Sequence, residues 1–419
     1  MSLVELNWVG RATGLDRLAT TLMRCYSHTG TDVARFRTTV EQDARLGPDD
    51  WLLATRGGED VGIAASYAFD AHVRGATVPC QGVGNVGTIK TARRKTAGGR
   101  AAGIGTAVMR GLLDRARDRG HVLSALMPFR ASYYEHFGYG VAERRAAWTV
   151  PLSVLRTTTQ SGVRFYDPAT DRPAVEDLAR RVARGGQLDF DRPPGVWDWT
   201  LSPDRQSFAV VGQLTAGAPL ESFMLLGHEH TDGRDVLVIP GPRASGLYYA
   251  TVDALERLLS FVASLRDQYH AVTLHLPVDL PLNLLLREAQ LPHRPVNHAH
   301  AAARPYTRMQ VRVLDHKRLL EAVAWPPHAR GSAVVAVQES EGETARFRVD
   351  VADARASVTP SAAVPDLATS DGTWAQIAVG DLRASTAWRL GLVAVERPDV
   401  LAVLDGLAHG PTPFSHEYF

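Results

Sequence analysis

Residues able to do chemistry are concentrated between positions 86 and 140. Val86-Gly87-Thr88 is followed by the basic Arg93-Arg94-Lys95 and by Arg100-Ala-Ala-Gly103-Ile-Gly105-Thr106. A helical stretch and an apolar run at 122–127 come next, and then Tyr133-Tyr134-Glu135-His136-Phe137-Gly138-Tyr139-Gly140. An Arg-x-x-Gly-x-Gly turn opening a helix sets backbone N–H groups, unobstructed by side chains, at the positive end of a helix dipole. That suits a pyrophosphate. A phenol with a pKa near ~10 is a fitting proton donor to a thiolate of similar basicity. Together the turn and the tyrosine cluster read as an acyl-CoA site.

The elements that must position these groups are legible around them. Ile104, Val108, Leu112 and Ala116 recur at four-residue intervals with Leu113 beside them, while Arg110, Asp114, Arg115, Arg117 and Asp118 take the other face. This pattern predicts an amphipathic helix that Gly120 closes. The run 122–127 predicts a short buried strand. Upstream, 51–54 and 61–69 predict paired strands around Gly57-Gly58-Glu59-Asp60, preceded by helices at 15–25 and 32–42.

The order strand, phosphate turn, helix, apolar strand and Tyr-x-x-Phe-Gly-Tyr-Gly resembles the GNAT acetyltransferases, and within them the Eis family of bacterial aminoglycoside and amine N-acetyltransferases. The resemblance implies an α/β (α+β) architecture of tandem GNAT-like domains followed by a sterol-carrier-protein-like domain. The expected divisions are a catalytic GNAT domain at 1–150, a second GNAT-like domain without cofactor at 151–305, and the C-terminal domain at 306–419. A length of 419 residues is comfortable for three cores of about 130–150 residues each.

The same resemblance assigns roles. Acetyl-CoA is the implied co-substrate, its pantetheine arm and acyl carbonyl held by Val86, Gly87 and Thr88. Its pyrophosphate falls to the turn that includes Gly103, Gly105 and Thr106. The link from 89 to 99 is longer than is usual in relatives, and it leaves two registers. In one, Arg93 and Arg94 meet the phosphates; in the other, favoured because it leads directly into Gly103-Ile-Gly105, Arg100 does. Tyr134 is the implied general acid, because Tyr-x-x-Phe-Gly-Tyr starts there, whereas Tyr133 is expected to point elsewhere. The tail Pro411-Thr-Pro-Phe-Ser-His-Glu-Tyr-Phe419 is stiff and aromatic, and the resemblance makes the terminal carboxylate of Phe419 the base. Phe129 stands where relatives often carry a small hydroxylic residue.

The second region repeats the rhythm without the chemistry. Strands at 235–239 and 271–276 flank a helical stripe of Val252, Leu255, Leu258, Leu259, Val262 and Leu265, but Gly241-Pro242-Arg-Ala-Ser-Gly246 lacks a free-amide turn led by arginine. In the third region strands are expected at 309–315, 332–338, 344–351 and 374–379, with helices from 316, over 381–392 and over 398–407. This last domain is expected to pack and to carry the terminus rather than to hold lipid.

Composition narrows the classes. A formal charge of +1 gives no general drive toward nucleic acid or an anionic membrane, and the four cations at 93–100 lack interleaved aromatics. Two cysteines without metal spacing suit a reducing cytoplasm. His228-Glu-His230 and the group His293, His298, His300 are expected to hold no metal, since chance clusters follow from fifteen histidines. No signal peptide or spanning segment is evident. The expected partner is a small-molecule amine, with a homo-oligomer, commonly a hexamer, implied by the resemblance. The acceptor stays open among aminoglycosides, polyamines, peptide lysines and a biosynthetic amine. A noncatalytic amine or drug binder on the same scaffold is the alternative.

Overall fold

The computed structural model describes residues 3–93, 103–201, 207–239, 246–290 and 300–419. Arg94, Arg100, Pro242, His293 and His298 lie outside them. In the first sheet the strands are β1 (Glu5–Val9), β2 (Trp51–Arg56), β3 (Glu59–Val73), β4 (Ala76–Thr88), β5 (Leu123–Leu126) and β6 (Gly140–Val141). The helices are α1 (Arg11–Tyr26), α2 (Val33–Gln42), α3 (Ile104–Asp118) and the single turn α4 (Ala131–Tyr134). The β3–β4 hairpin turns at Arg74 and Gly75, both at positive φ (48° and 78°). A tight hairpin turn demands this conformation, and glycine supplies it without strain.

Pairing is antiparallel from β1 to β4, and then β4 and β5 run parallel. A parallel neighbour needs a crossover, and α3 provides it. The stripe read from the sequence is the buried face of α3: Ile104, Val108, Leu112, Leu113 and Ala116. Ile104, Val108, Leu112 and Leu113 join Leu18 and Leu22 of α1, Trp51 of β2 and Ile63 of β3 in one core. That core continues into the C-terminal domain through Val335, Trp374 and Ile377.

The second sheet repeats this plan. Among the described residues its one parallel pair, Arg234–Val238 beside Ala271–Pro277, is bridged by the helix Val252–Ser264. A third sheet orders Arg355–Pro360, Thr344–Ala352, Gly331–Gln338, Leu367–Ser370 and Val393–Val395. Among the described residues, no helix is long and apolar enough to cross a membrane.

Three expectations are corrected by the pairing. The strand read at 309–315 as the opening of the third region is Gln310–Val313, and it inserts into the first sheet between β5 and β6. Its buried Arg312 pairs with Glu339 at 3.0 Å and with Glu341, which follow the strand Gly331–Gln338 of the third sheet. Residues Arg144–Pro151, expected to end the first domain, ladder instead with Ala271–Pro277 and Ala302–Thr307 in the second sheet. The divisions at 150/151 and 305/306 are therefore crossed by strands. The run 374–379, expected as a strand, lies mostly in the helix Asp371–Ala378, which Ser370 caps by accepting from Thr373 N–H at 3.3 Å.

Candidate active site

Strand β4 outruns its parallel neighbour. It pairs with β5 only from Cys80–Leu123 to Val83–Leu126, so residues 84–88 meet no strand on that side among the described residues. On the other side the register with β3 slips between Ile63 and Ala65, at a bulge where Asn85 takes a φ of 53°. This end of β4 is thus unpaired on the β5 side, an edge with which an extended amide-bearing chain such as a pantetheine arm can pair.

Two glycines let neighbouring side chains pack close against this part of the domain. A Cβ at Gly87 would stand 3.0 Å from Cys25 Sγ and 3.2 Å from Tyr26 Cε2, at the end of α1. One at Gly105 would run into the Tyr133 hydroxyl, with Thr88 Oγ1 at 4.0 Å. Gly103 is the N-cap of α3 and supplies no side-chain cap; helical bonding begins with Ala107 N–H donating to Gly103 O at 3.1 Å. The amides of Ile104, Gly105 and Thr106 lie at the dipole's positive end. Gly103, Gly105 and Thr106 therefore lie in one turn beside Thr88, and the residues present fit a diphosphate-bearing coenzyme. Arg93 is close by, with Nε donating to Thr88 O at 3.0 Å. Arg94 and Arg100 fall outside the described residues, and so does the choice between the two arginine registers.

Tyr134 ends the turn α4, and the chain leaves through Gly138 at a φ of 76°. Its ring is 4% exposed and meets Tyr133 at 5.0 Å, Phe129 at 5.7 Å and Tyr139 at 6.2 Å between centroids. Among the described residues, none hydrogen-bonds its hydroxyl. Burial above all, with Tyr133, Tyr26 and Tyr139 nearby, pushes the Tyr134 phenol above its ordinary pKa, so it holds its proton. Tyr139 differs: its hydroxyl is bonded to Ser124 Oγ at 2.6 Å and is part of the core. The Tyr133 hydroxyl lies over the first turn of α3 beside Gly105, its phenol pushed up to about 12 by burial. Phe129 is 74% exposed.

The tail reaches the same sheet through a ladder of anchors that the sequence reading missed. Phe414 N–H donates to Gln187 O at 2.9 Å, and Ser415 N–H donates to Glu143 Oε1 at 2.8 Å. Ser415 O accepts from Arg145 at 2.8 Å and from Arg308 at 2.7 Å. His416 bonds Asp189 through its backbone N–H (2.8 Å) and its Nδ1 (2.6 Å), and Glu417 pairs with Arg192. Tyr418 O accepts from Arg45 at 2.7 Å. The Phe419 ring then lies among Phe69, Phe190 and Tyr67, at 4.9, 5.5 and 6.0 Å. Phe190 is there because Asp189–Phe190 pairs with β3 opposite Ala71 and His72. These anchors are scattered from 45 to 308, so no local spacing reveals them.

Two cavities flank His416, one bordered by Arg192, Trp197 and Tyr248, the other by Tyr249, His275 and Phe414. Neither is lined by Tyr134 or by Val86, Gly87 or Thr88. His228 and His230 are exposed, and His230 bonds Asp235 at 3.0 Å. Glu339, Glu341 and Asp371 approach within 4.8 Å of one another, but Arg312 already pairs with both glutamates. Both cysteines are buried, and burial pushes the Cys25 thiol up to about 11 and Cys80 higher still, so neither is an activated nucleophile.

Comparison with known proteins adds to this geometry. Residues 11–142 and 189–313 each match an acetyltransferase (GNAT) domain, and 316–416 match a sterol carrier protein domain. Over 398 residues, 90% of each chain, the sequence is 26% identical to the N-acetyltransferase Eis of Mycobacterium tuberculosis. Over 178 residues it is 30% identical to an uncharacterized N-acetyltransferase of Streptomyces avermitilis, a match spanning 41% of this chain and 40% of that protein. A GCN5-related N-acetyltransferase from Anabaena variabilis superposes with a TM-score of 0.82 at 17% identity, covering 99% of this chain and 100% of that one. Eis1 from Mycobacterium abscessus superposes with 0.79 at 19% identity, covering 100% of both. The folds agree: two GNAT-like domains followed by a sterol-carrier-like domain.

Proposed function

The chain belongs to the Eis-like family of GNAT acetyltransferases, acyltransferases that use acetyl-CoA, and we propose that it acetylates a primary amine of a small acceptor by direct attack. The acceptor is an aminoglycoside-like, polyamine or lysine amine, and the protein works in the cytoplasm as a homo-oligomer, hexameric by family resemblance. What supports this reading is that the unpaired end of β4, the first turn of α3 and the buried Tyr134 all belong to the stretch 11–142 that matches an acetyltransferase (GNAT) domain.

In this reading Val86, Gly87 and Thr88 hold the pantetheine arm and orient the acyl carbonyl, whose developing negative charge a backbone N–H stabilises. Gly103, Gly105 and Thr106 take the pyrophosphate, with Arg100, or Arg93 and Arg94, neutralising it. The terminal carboxylate of Phe419 accepts the amine's proton, directly or through water, and Tyr134 donates one to the departing thiolate. What supports the last pair of roles is a protonated, hydrogen-bond-free phenol and a tail fixed at six successive residues. No covalent enzyme intermediate is needed, since neither thiol is activated.

The test is an acetyl-CoA consumption screen over aminoglycosides, polyamines, lysine peptides and simple aryl and alkyl amines, with the mass in solution measured alongside. Release of free CoA that depends on one amine class supports the proposal. Amine binding without CoA release across the panel favours the noncatalytic binder.

A further inference from the structure

The last peptide of the tail is held by a side chain that the mechanism above does not use. Arg45 lies just beyond α2. It donates from Nε to Asp43 Oδ1 and from Nη2 to Asp43 Oδ2, both at 2.7 Å, and from Nη1 to Tyr418 O at 2.7 Å. Its guanidinium carbon stands 4.8 Å from the centroid of the Tyr67 ring. The Tyr67 hydroxyl donates to Asp43 Oδ2 at 3.3 Å and accepts from Asn85 Nδ2 at 3.2 Å. Asn85 is the positive-φ residue of the β4 bulge, immediately before Val86. A continuous chain of polar contacts therefore links the bulge that borders the coenzyme groove to the peptide preceding Phe419.

We propose that Arg45 is a positioning residue for the base, fixing the Tyr418 carbonyl so that the Phe419 carboxylate is aimed at the amine while keeping its basicity. The proposal rests on the reading of that carboxylate as the base. With the Tyr418 carbonyl tied by Arg45 and the Phe419 ring wedged between Phe69 and Phe190, little freedom is left to the terminal group. The charge arrangement matters as much. A cation placed directly on the carboxylate would lower its proton affinity, and among the described residues none is within ion-pair distance of it. Arg45 instead spends its charge on the bidentate Asp43 and touches only a neutral carbonyl. A guanidinium can serve three acceptors in one plane, which an ammonium cannot.

The experiment compares Arg45→Gln and Arg45→Lys with the parent chain, together with a parent chain extended by a short peptide after Phe419. Arg45→Gln is expected to lower kcat about 10- to 100-fold, with KM for acetyl-CoA and the melting temperature close to those of the parent. Arg45→Lys, able to reach one acceptor, is expected to recover part of the loss; if Arg45→Gln does not fold, a lowered kcat at unchanged KM in Arg45→Lys carries the same meaning. Parent-like kcat in both variants, or losses that only follow the melting temperature, would overturn the role of Arg45 while an inactive extended chain leaves the base in place. An extended chain with full activity removes the base itself, and the proposal with it.

Discussion

The ring of Phe419 sits 4.9 Å, centroid to centroid, from that of Phe69, and it can do so because position 82 on β4 is glycine. A Cβ there would stand 2.8 Å from Phe69 Cδ2 and 3.1 Å from Phe419 Cδ2. Gly84 does the same for Tyr67, whose hydroxyl would be 2.9 Å from an added Cβ. The tail's aromatic seat is thus cut into the cofactor strand by two missing side chains. Gly82→Val should push Phe419 out, lowering kcat by about 10-fold or more while acetyl-CoA still binds. Calorimetric titration with acetyl-CoA and steady-state turnover measure the two halves of that expectation.

Tyr134 is buried, its phenol lies above its ordinary pKa and its hydroxyl is protonated. Tyr134→Phe keeps the ring packing against Tyr133, Phe129 and Tyr139 and removes only the hydroxyl. Turnover is expected to fall by about 10²-fold or more, with acetyl-CoA affinity and melting temperature little changed. Near-parental turnover in this variant would take the acid role away from Tyr134.

Acid pH should unsettle the second domain through His275. Burial, and then the charges of Arg145, Arg308 and Arg304, lower its pKa from 6.5 to about 4, and its Nδ1 meets the Tyr306 hydroxyl at 2.8 Å. The unfolded chain takes up this proton near the ordinary value and the folded chain resists until about 4. The stability His275 confers is therefore complete above about 6.5 and is lost as pH falls from there through about 4. His275→Asn is expected to show a smaller drop in melting temperature between pH ~7.5 and ~5 than the parent. An identical drop in both would show that this histidine is not what the acid reaches.

Local pattern carried much of the fold and part of the site. The α3 stripe and the strands near 235–239 and 271–276 appear within a residue or two of their expected bounds, and the hairpin around 57–60 is present with its second strand running four residues past the expected end, to Val73. Each has a period that only one element satisfies. The run 374–379 does not: six mostly apolar residues fit a buried strand or a buried helix equally, and the Ser370 cap decided it. Residues Gln310–Val313 were legible as a strand but not as a strand of the first sheet, because pairing partners are chosen by tertiary contacts such as Arg312 with Glu339.

The site divides in the same way. Val86, Gly87, Thr88, Gly103, Gly105 and Tyr134 stand close together in sequence, and their motif could be read directly. Arg45, Glu143, Asp189, Arg192 and Arg308 serve the tail from four separate parts of the chain, as ordinary charged residues with no motif around them. Their common signal is burial, which only the folded chain displays: Glu143 and Arg145 are fully or almost fully buried with Arg308 beside them. Buried charges of this kind are kept only where every one is paired.

The account turns on a phenol and a tail carboxylate serving one acetyl transfer, and the most direct measurement is the rate of amine-dependent acetyl-CoA consumption before and after extension beyond Phe419. The parent chain should turn over with at least one amine class. The extended chain, still binding acetyl-CoA, should be slower by about 10²-fold. Equal rates in the two chains would contradict the account, because a peptide bond at Phe419 leaves no carboxylate there to take the proton.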